Sequence, residues 1–252
     1  MASSSSITLP VLEGDEARNI DLEVTEKLGR VRVLESVANR IADALQYHIL
    51  DHRKGHPMLF VGGKGNNGAN VIAAARILHL RGVDVRVVAL VNDDGQQRPN
   101  IQEQLDLFEV FVGKERLSYA AADPTLQAVK DFGGILIDGI LGTGIADPPR
   151  GIARDAIRAV NDAKHAKGVV SIDIPSGLNH VTGETPGDCV KATWTLNLHM
   201  LKQGQLTEIA KPYVGELWSA ESNLGFITFT GYEEAFREFY KESPIVKVDL
   251  RL

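Results

Sequence analysis

Residues 58–82 read MLFVGGKGNNGANVIAAARILHLRG, and the fold follows from this stretch. Met58–Val61 is an apolar run of strand length, too short for a helix. Gly62-Gly63-Lys64-Gly65-Asn66-Asn67-Gly68 then breaks all periodicity. From Ala69 onward Val71, Ala74, Ala75 and Leu78 share one helical face, until Gly82 supplies a stop. A strand, a glycine turn and a helix N-terminus bring backbone N–H groups together where an anion can bind. Glycines let a ligand approach the main chain closely. A tight βα turn needs no ligand to exist. The paired asparagines add something further, amide oxygens suited to a hard cation or a sugar hydroxyl.

Neither standard nucleotide motif fits here. G-x-G-x-x-G can be laid on Gly63, Gly65 and Gly68, but the acid expected at the end of the next strand is missing. Asp84 precedes the Val85–Val91 run, and Asn92, Asp93 and Asp94 follow it late. No Gly-Lys-Ser/Thr follows the turn, so a Walker loop is excluded.

Working outward, an acidic helix is predicted over Leu12–Leu28, with Asp15 and Glu16 in its first turn. A second helix is predicted over Val33–Leu50, with Leu34, Val37, Ala38, Ile41 and Leu45 as its apolar stripe. Beyond the organising stretch, Val85–Val91 reads as a buried strand and Asn100–Phe108 as a helix. Asp123-Pro124 has the form of an N-cap with proline at the first helical position, opening a helix to about Phe132. Ile135–Ile137 and Val169–Ile172 are strands that end at Asp138 and Asp173. Between them a helix is expected from about Arg150 to Lys164. Thr193–Leu198 and part of Leu217–Ile227 complete the sheet, and Tyr232–Lys241 is a charged helix. Strands alternating with helices imply a three-layer α/β/α sandwich around a mainly parallel, Rossmann-like sheet. One domain over 1–252 is expected, with 1–10 as a flexible leader and 242–252 as an extended tail.

The chain has 252 residues, 24% charged and 44% hydrophobic, the profile of an ordinary globular protein. A net charge of −6 argues against a general nucleic-acid or membrane-surface partner. No apolar run approaches the roughly 18 residues that span a bilayer. The single Cys189 leaves no intramolecular disulfide, which fits a reducing, cytoplasmic location. It has no activating neighbour beyond Lys191 and reads as an inert small residue. Trp194 and Trp218 read as core. His199 is expected to be an ordinary satisfied or surface histidine rather than a pocket residue. The His48, His52, His56 spacing is broken by Gly55 and Pro57 and makes no metal site.

Three strands therefore end in polar residues: Asn66-Asn67, Asp138 and Asp173. In open α/β sheets ligands bind beyond the carboxyl ends of the strands, at a switch point. Two carboxylates brought together there require a proton, a cation or a ligand charge between them. One strand-end aspartate commonly just caps its own turn. Two of them beside an asparagine loop point to a shared site, with Ser176 of Pro175-Ser176-Gly177 offering a further oxygen.

These residues resemble the NAD(P)H-hydrate epimerase family, the YjeF N-terminal domain. The resemblance rests on Gly65-Asn66-Asn67-Gly68, on Ile137-Asp138-Gly139-Ile140-Leu141-Gly142-Thr143-Gly144 and on Ser171-Ile172-Asp173-Ile174-Pro175-Ser176-Gly177. Thr182-Gly183, Leu201-Lys202 and the helix around Leu34-Glu35 support it, so that residues 12–228 are covered. It implies an isomerase that interconverts the R and S epimers of hydrated NADH and NADPH, usually as a homodimer with potassium in the site. Carried over by position, Asn67, Asp138 and Ser176 would hold the potassium. Asn66, Asn67, Gly68, Ala69, Asn70, Gly142, Thr143, Gly144, Ile145 and Asp173 would contact the substrate. Asp173 would be the acid/base residue, with Lys202 beside it. The residues left over are too few for the dehydratase module sometimes fused to this domain.

The chemistry matches these residue types. Loss of hydroxide from the hydrated ring carbon leaves a conjugated iminium cation, and water can return from either face. A carboxylate can stabilise that cation and carry the proton. Five positions depart from the family pattern: Asn70 replaces an acid, Ala69, Val71 and Asn39 replace glycines, and Gln203 replaces a proline. Two other readings therefore stay open, a diverged isomerase or cyclase that works through a similar cation, and a non-catalytic scaffold of the same fold.

Overall fold

In the computed structural model, residues 11–14, 16–50, 55–91, 97–122, 126–144, 147–222, 224 and 231–249 are described. The chain enters through a short strand β1 (Val11–Leu12), followed by helices α1 (Glu16–Leu28) and α2 (Arg30–Ala44), the latter continued by a π turn over Leu45–Ile49. Alternation then begins with β2 (Met58–Gly62), α3 (Asn66–Leu80), β3 (Val85–Leu90), α4 (Pro99–Phe111) and β4 (Leu117–Ala120). It continues with a one-turn α5 (Gln127–Lys130), β5 (Ile135–Gly139), α6 (Gly151–Asn161) and β6 (Gly168–Ile172). The last part holds β7 (Trp194–Leu198), β8 (Leu201–Lys202), α7 (Lys211–Val214), β9 (Glu216–Ala220), α8 (Glu233–Phe239) and β10 (Ile245–Lys247).

The main sheet runs β10-β9-β7-β6-β5-β2-β3-β4 and is parallel except for β10 against β9. From β2 the chain moves outward through β3 and β4. It then returns to the other side of β2 and moves outward again through β5, β6 and β7. The switch point therefore lies between β2 and β5, where the crossover helices diverge and leave a crevice beyond the strand ends.

Period-two alternation divides the core. Phe60, Val87 and Ile137 face the layer of α2, α3 and α4, where Ile41, Ile72 and Ile101 lie fully buried. Val61, Val88 and Leu136 face α5 and α6. A third apolar cluster joins the two ends of the chain: Leu12, Ile20 and Val24 meet Ile174, Leu178, Met200 and Leu201, with Phe236 and Phe239 from α8. The expected three-layer sandwich is present. Among the described residues no helix is long and apolar enough to cross a membrane.

Several boundaries differ from the sequence expectation. The helix after the asparagines starts at Asn66, not Ala69, because Gly65 is extended and the Ala69 amide already bonds to its carbonyl at 3.2 Å. The first helix is preceded by a strand, since Val11 and Leu12 add to β8. Strand β4 was not expected; only Leu117 and Ala120 are buried, which leaves little periodicity to read. Within the segment expected as an extended tail, Ile245–Lys247 pairs as a strand with the edge of β9, with Ile245 buried. Trp194 is core as expected, whereas Trp218 is half-buried and donates to Glu216 at 2.7 Å. The Asp123-Pro124 cap, the 1–10 leader, His52 and Ile145 lie outside the described residues.

Candidate functional site

The crevice is closed at its floor by glycines that cannot be larger. A Cβ on Gly68 would fall 1.9 Å from the Gly63 carbonyl oxygen, and one on Gly63 would fall 1.8 Å from that of Ile140. The turn after β2 and the turn after β5 are therefore in backbone contact, which only glycine permits. This contact sets Asn67 against the Leu141–Gly142 segment.

Asn67 is buried and donates through Nδ2 to the carbonyls of Leu141 and Ile172, at 2.9 Å each. It ties the ends of β5 and β6 to the start of α3. Its Oδ1 is buried and has no hydrogen-bond partner among the described residues. An orphaned amide oxygen of this kind is costly unless something donates or coordinates to it. Asn66 is exposed and accepts from Asn100 of α4 at 3.3 Å. Asn70 stands one turn inside α3, half-buried, rather than at its first residue. Asn39, another departure from the family pattern, is exposed on α2 and donates to the Glu35 carbonyl.

Asp138 ends β5 with no exposed surface. Its Oδ2 accepts from the Ser171 hydroxyl at 2.7 Å and the Ser176 amide at 3.0 Å. Its Oδ1 accepts from the Ser176 hydroxyl at 2.6 Å and the Ile140 amide at 3.1 Å. Burial pushes its pKa up, against hydrogen bonds from Ser176, Ser171 and Ile140 that favour the charged form. Ser176 also accepts from the Leu141 amide at 2.8 Å. Asp138 thus fastens β5, β6 and the Pro175-Ser176-Gly177 turn together. Both its oxygens are engaged, so direct coordination of a cation by Asp138 requires a serine hydroxyl to turn away. The buried Asn67 Oδ1, unpartnered among the described residues, fits an oxygen-seeking cation, and Asn67 and Ser176 both bond to Leu141. Among the described residues no three His, Cys, Asp or Glu side chains cluster, so the oxygen donors here are amide, hydroxyl, carbonyl and one carboxylate.

Asp173 lies just past β6 with a left-handed backbone, φ 71°. Asp tolerates this conformation better than most residues, and its persistence at a strand end marks a constrained site. The backbone is pinned from both sides: its amide donates to Leu196 at 2.8 Å and its carbonyl accepts from Gln205 at 2.7 Å. Oδ1 receives Lys202 Nζ at 2.5 Å. Oδ2 turns toward the other segment, 3.6 Å from where a Cβ on Gly142 would sit. That same Cβ would lie 3.5 Å from Asn67 Cβ. Asn67, Gly142 and Asp173 thus meet, as expected. Thr143 and Gly144 follow Gly142 on the open side of this wall, half-buried and exposed respectively.

Lys202 is buried, and Nζ also donates to Asn197 Oδ1 and the Leu198 carbonyl, each at 2.9 Å. All three donors are used. Lys202 is therefore a fixed counter-ion that orients Asp173. Asn197 and Gln205 were not anticipated. Asn197 carried a readable signal, a polar residue inside an apolar strand; Gln205 carried none. His199 is buried with Nδ1 3.1 Å from the Ser222 hydroxyl, and burial, with Lys202 adding, holds its imidazole well below the usual range. It is a satisfied histidine, as expected. Burial pushes the Cys189 thiol up, with Asp138 adding, which keeps it inert.

Residues 31–204 match the family model described as YjeF-related protein N-terminus. An NAD(P)H-hydrate epimerase of Cenarchaeum symbiosum is 36% identical over 165 residues, which cover 65% of this chain and 74% of that protein. One from Limosilactobacillus reuteri is 28% identical over 84% of this chain and 94% of its own length. A bifunctional NAD(P)H-hydrate repair enzyme of Leishmania infantum is 38% identical over 63% of this chain, and the match spans only 27% of that longer protein. The crystal structure of yeast ynu0 superposes with a TM-score of 0.72 over 95% of this chain and all of that one. At 18% identity, that likeness is one of fold.

Proposed function

The chain belongs to the YjeF-related N-terminal family, and we propose that it is an isomerase interconverting the R and S epimers of hydrated NADH and NADPH. The supporting observation is the Asp173 carboxylate, locked by Lys202 through one oxygen while the other borders the crevice at Gly142. The relatives named NAD(P)H-hydrate epimerase point to the same reaction. The family's potassium ion and homodimeric state are part of the proposal.

In this reading the dinucleotide lies across the switch point, its phosphates toward the N-terminus of α3 and its hydrated ring beside Asp173. The Asp173 carboxylate stabilises the iminium cation left when hydroxide departs, and serves the proton transfers on both sides of the exchange. Lys202 holds one carboxylate oxygen in place and leaves the other for the ring. Asn67, Ser176 and Asp138 would hold potassium, which supplies positive charge that offsets the carboxylates and orders the two turns.

The direct test is the rate of R-to-S exchange on an NADHX mixture, against spontaneous epimerisation. A rate clearly above background is expected. Asn70→Asp restores the acid usual in the family at a position one turn into α3, where it can accept from ligand hydroxyls. Exchange by this variant is expected to equal or exceed that of the natural chain. Background rates in both proteins would instead favour the diverged isomerase.

The cation is tested by stability. A ligand that binds only the native state raises the melting temperature with saturation. Potassium is expected to raise it more than lithium at equal ionic strength, and Asn67→Ala to remove the difference. Equal action of both salts on the natural protein would remove potassium from the proposal.

A further inference from the structure

We propose that Tyr240, the residue that closes α8, is a positioning residue for the Asp173 carboxylate and acts through Asn197 and Lys202; the inference rests on the epimerase reading above. Tyr240 lies beyond residues 31–204, the stretch that matches the family model. An unbroken line of hydrogen bonds nevertheless joins its hydroxyl to the site. Lys202 Nζ donates to Asp173 Oδ1 at 2.5 Å and to Asn197 Oδ1 at 2.9 Å. Asn197 can turn its oxygen to Lys202 only while its Nδ2 finds acceptors on the other side. It has two, Ser219 Oγ at 2.7 Å and the His199 carbonyl at 3.3 Å. The Tyr240 hydroxyl meets both of them, Ser219 Oγ at 2.7 Å and the His199 carbonyl at 2.6 Å. One phenol thus fixes both acceptors of the amide that holds the counter-ion.

The proton directions follow from the donors available. The ammonium donates to Asn197 Oδ1, and Nδ2 donates to Ser219 Oγ. Tyr240 gives its single proton to the His199 carbonyl, so the Ser219 proton goes to the Tyr240 oxygen. The alternative acceptor for Ser219, the His199 carbonyl, is farther at 3.3 Å. Turning Asn197 over would set its amide protons against the Lys202 ammonium. Burial pushes the Tyr240 phenol up, with the Ser219 hydrogen bond opposing, so the hydroxyl stays a donor.

The backbone points the same way. Asp173 and His199 are the two non-glycine residues with left-handed backbones among the described residues, at φ 71° and 63°. Such a conformation is sparsely populated and persists where its surroundings hold it. The His199 amide donates to the Ala220 carbonyl at 2.7 Å, while Tyr240 holds the His199 carbonyl. The bend that returns Lys202 to Asn197 and Asp173 is therefore clamped from β9 and from α8. The Tyr240 ring has its own anchorage on Phe236 and Phe239, with centroids 4.7 and 4.8 Å away. Removing the hydroxyl alone leaves that packing in place.

The experiment measures kcat and KM for NADHX exchange, with melting temperatures, in the natural protein, Tyr240→Phe, Ser219→Ala and Phe239→Leu. Asn197→Ala is added with and without Tyr240→Phe. Tyr240→Phe is expected to lose about tenfold in kcat, short of the roughly hundredfold that a misplacement of about 1 Å costs. KM should hold, because the hydroxyl acts on the carboxylate in the transition state and not on binding. Ser219→Ala cuts the same line one step nearer Asn197 and should show the same split. Phe239→Leu loosens the same packing without cutting the line, so its melting temperature should fall while kcat stays. In the Asn197→Ala background Tyr240→Phe should cost nothing more, since no amide is left for it to hold. An unchanged kcat in Tyr240→Phe, a loss confined to KM, or an equal loss in Phe239→Leu overturns the proposal and leaves the epimerase reading intact. So does a further loss in the Asn197→Ala background. A natural protein at background rate overturns the reading itself, and the role of Tyr240 with it.

Discussion

Asp173→Asn is expected to lower the rate of NADHX epimer exchange at least about a hundredfold, the usual scale for a positioned acid/base group. The substitution keeps the shape and leaves the backbone anchors to Leu196 and Gln205 in place. It removes the negative charge that would face the ring cation and leaves Lys202 Nζ a neutral amide oxygen in place of a carboxylate. The buried ammonium would retain Asn197 Oδ1 and the Leu198 carbonyl, so the fold should survive with some loss of stability. Melting and circular dichroism separate the two effects. Near-normal turnover by a folded Asn variant would sink the assignment.

Asp138→Ala is expected to produce the largest stability loss of any single change at the site, about 3–5 kcal/mol. Four donors end on this one carboxylate: the hydroxyls of Ser171 and Ser176 and the amides of Ile140 and Ser176. Each buried donor left without an acceptor costs about 1–3 kcal/mol, and the hydroxyls can recover part of this by turning. The measurement is denaturant unfolding at constant slope, so that the change reports stability rather than compactness. A loss under about 1 kcal/mol would show that Asp138 is no structural fastening. Because this variant is so destabilised, Asn67→Ala is the better probe of the cation.

Much of this molecule was legible in the chain itself because the signals are local. The apolar run at Met58, the glycine turn and the helical face from Val71 are set by residues within a few positions of one another. Together with Val85–Val91, Ile135–Ile137 and Val169–Ile172 they define a parallel sheet and place Asn67, Asp138 and Asp173 at its carboxyl edge. The helix start was misjudged for a local reason as well: two asparagines and Gly68 carry little helical propensity, and the contact of Gly68 with Gly63 decided the matter.

What only the tertiary structure decided depends on partners far apart in the chain. The family resemblance implies Asp138 as a potassium ligand, and only the tertiary structure shows that its two oxygens also accept from four hydrogen-bond donors. Its donors Ser171 and Ser176 lie more than thirty positions away, at 33 and 38. Lys202 became a caged counter-ion through Asn197 and the Leu198 carbonyl, a geometry created by the bend between β7 and β8. The strand at Ile245 exists because β9 offers an open edge, and its own three residues carry no such instruction.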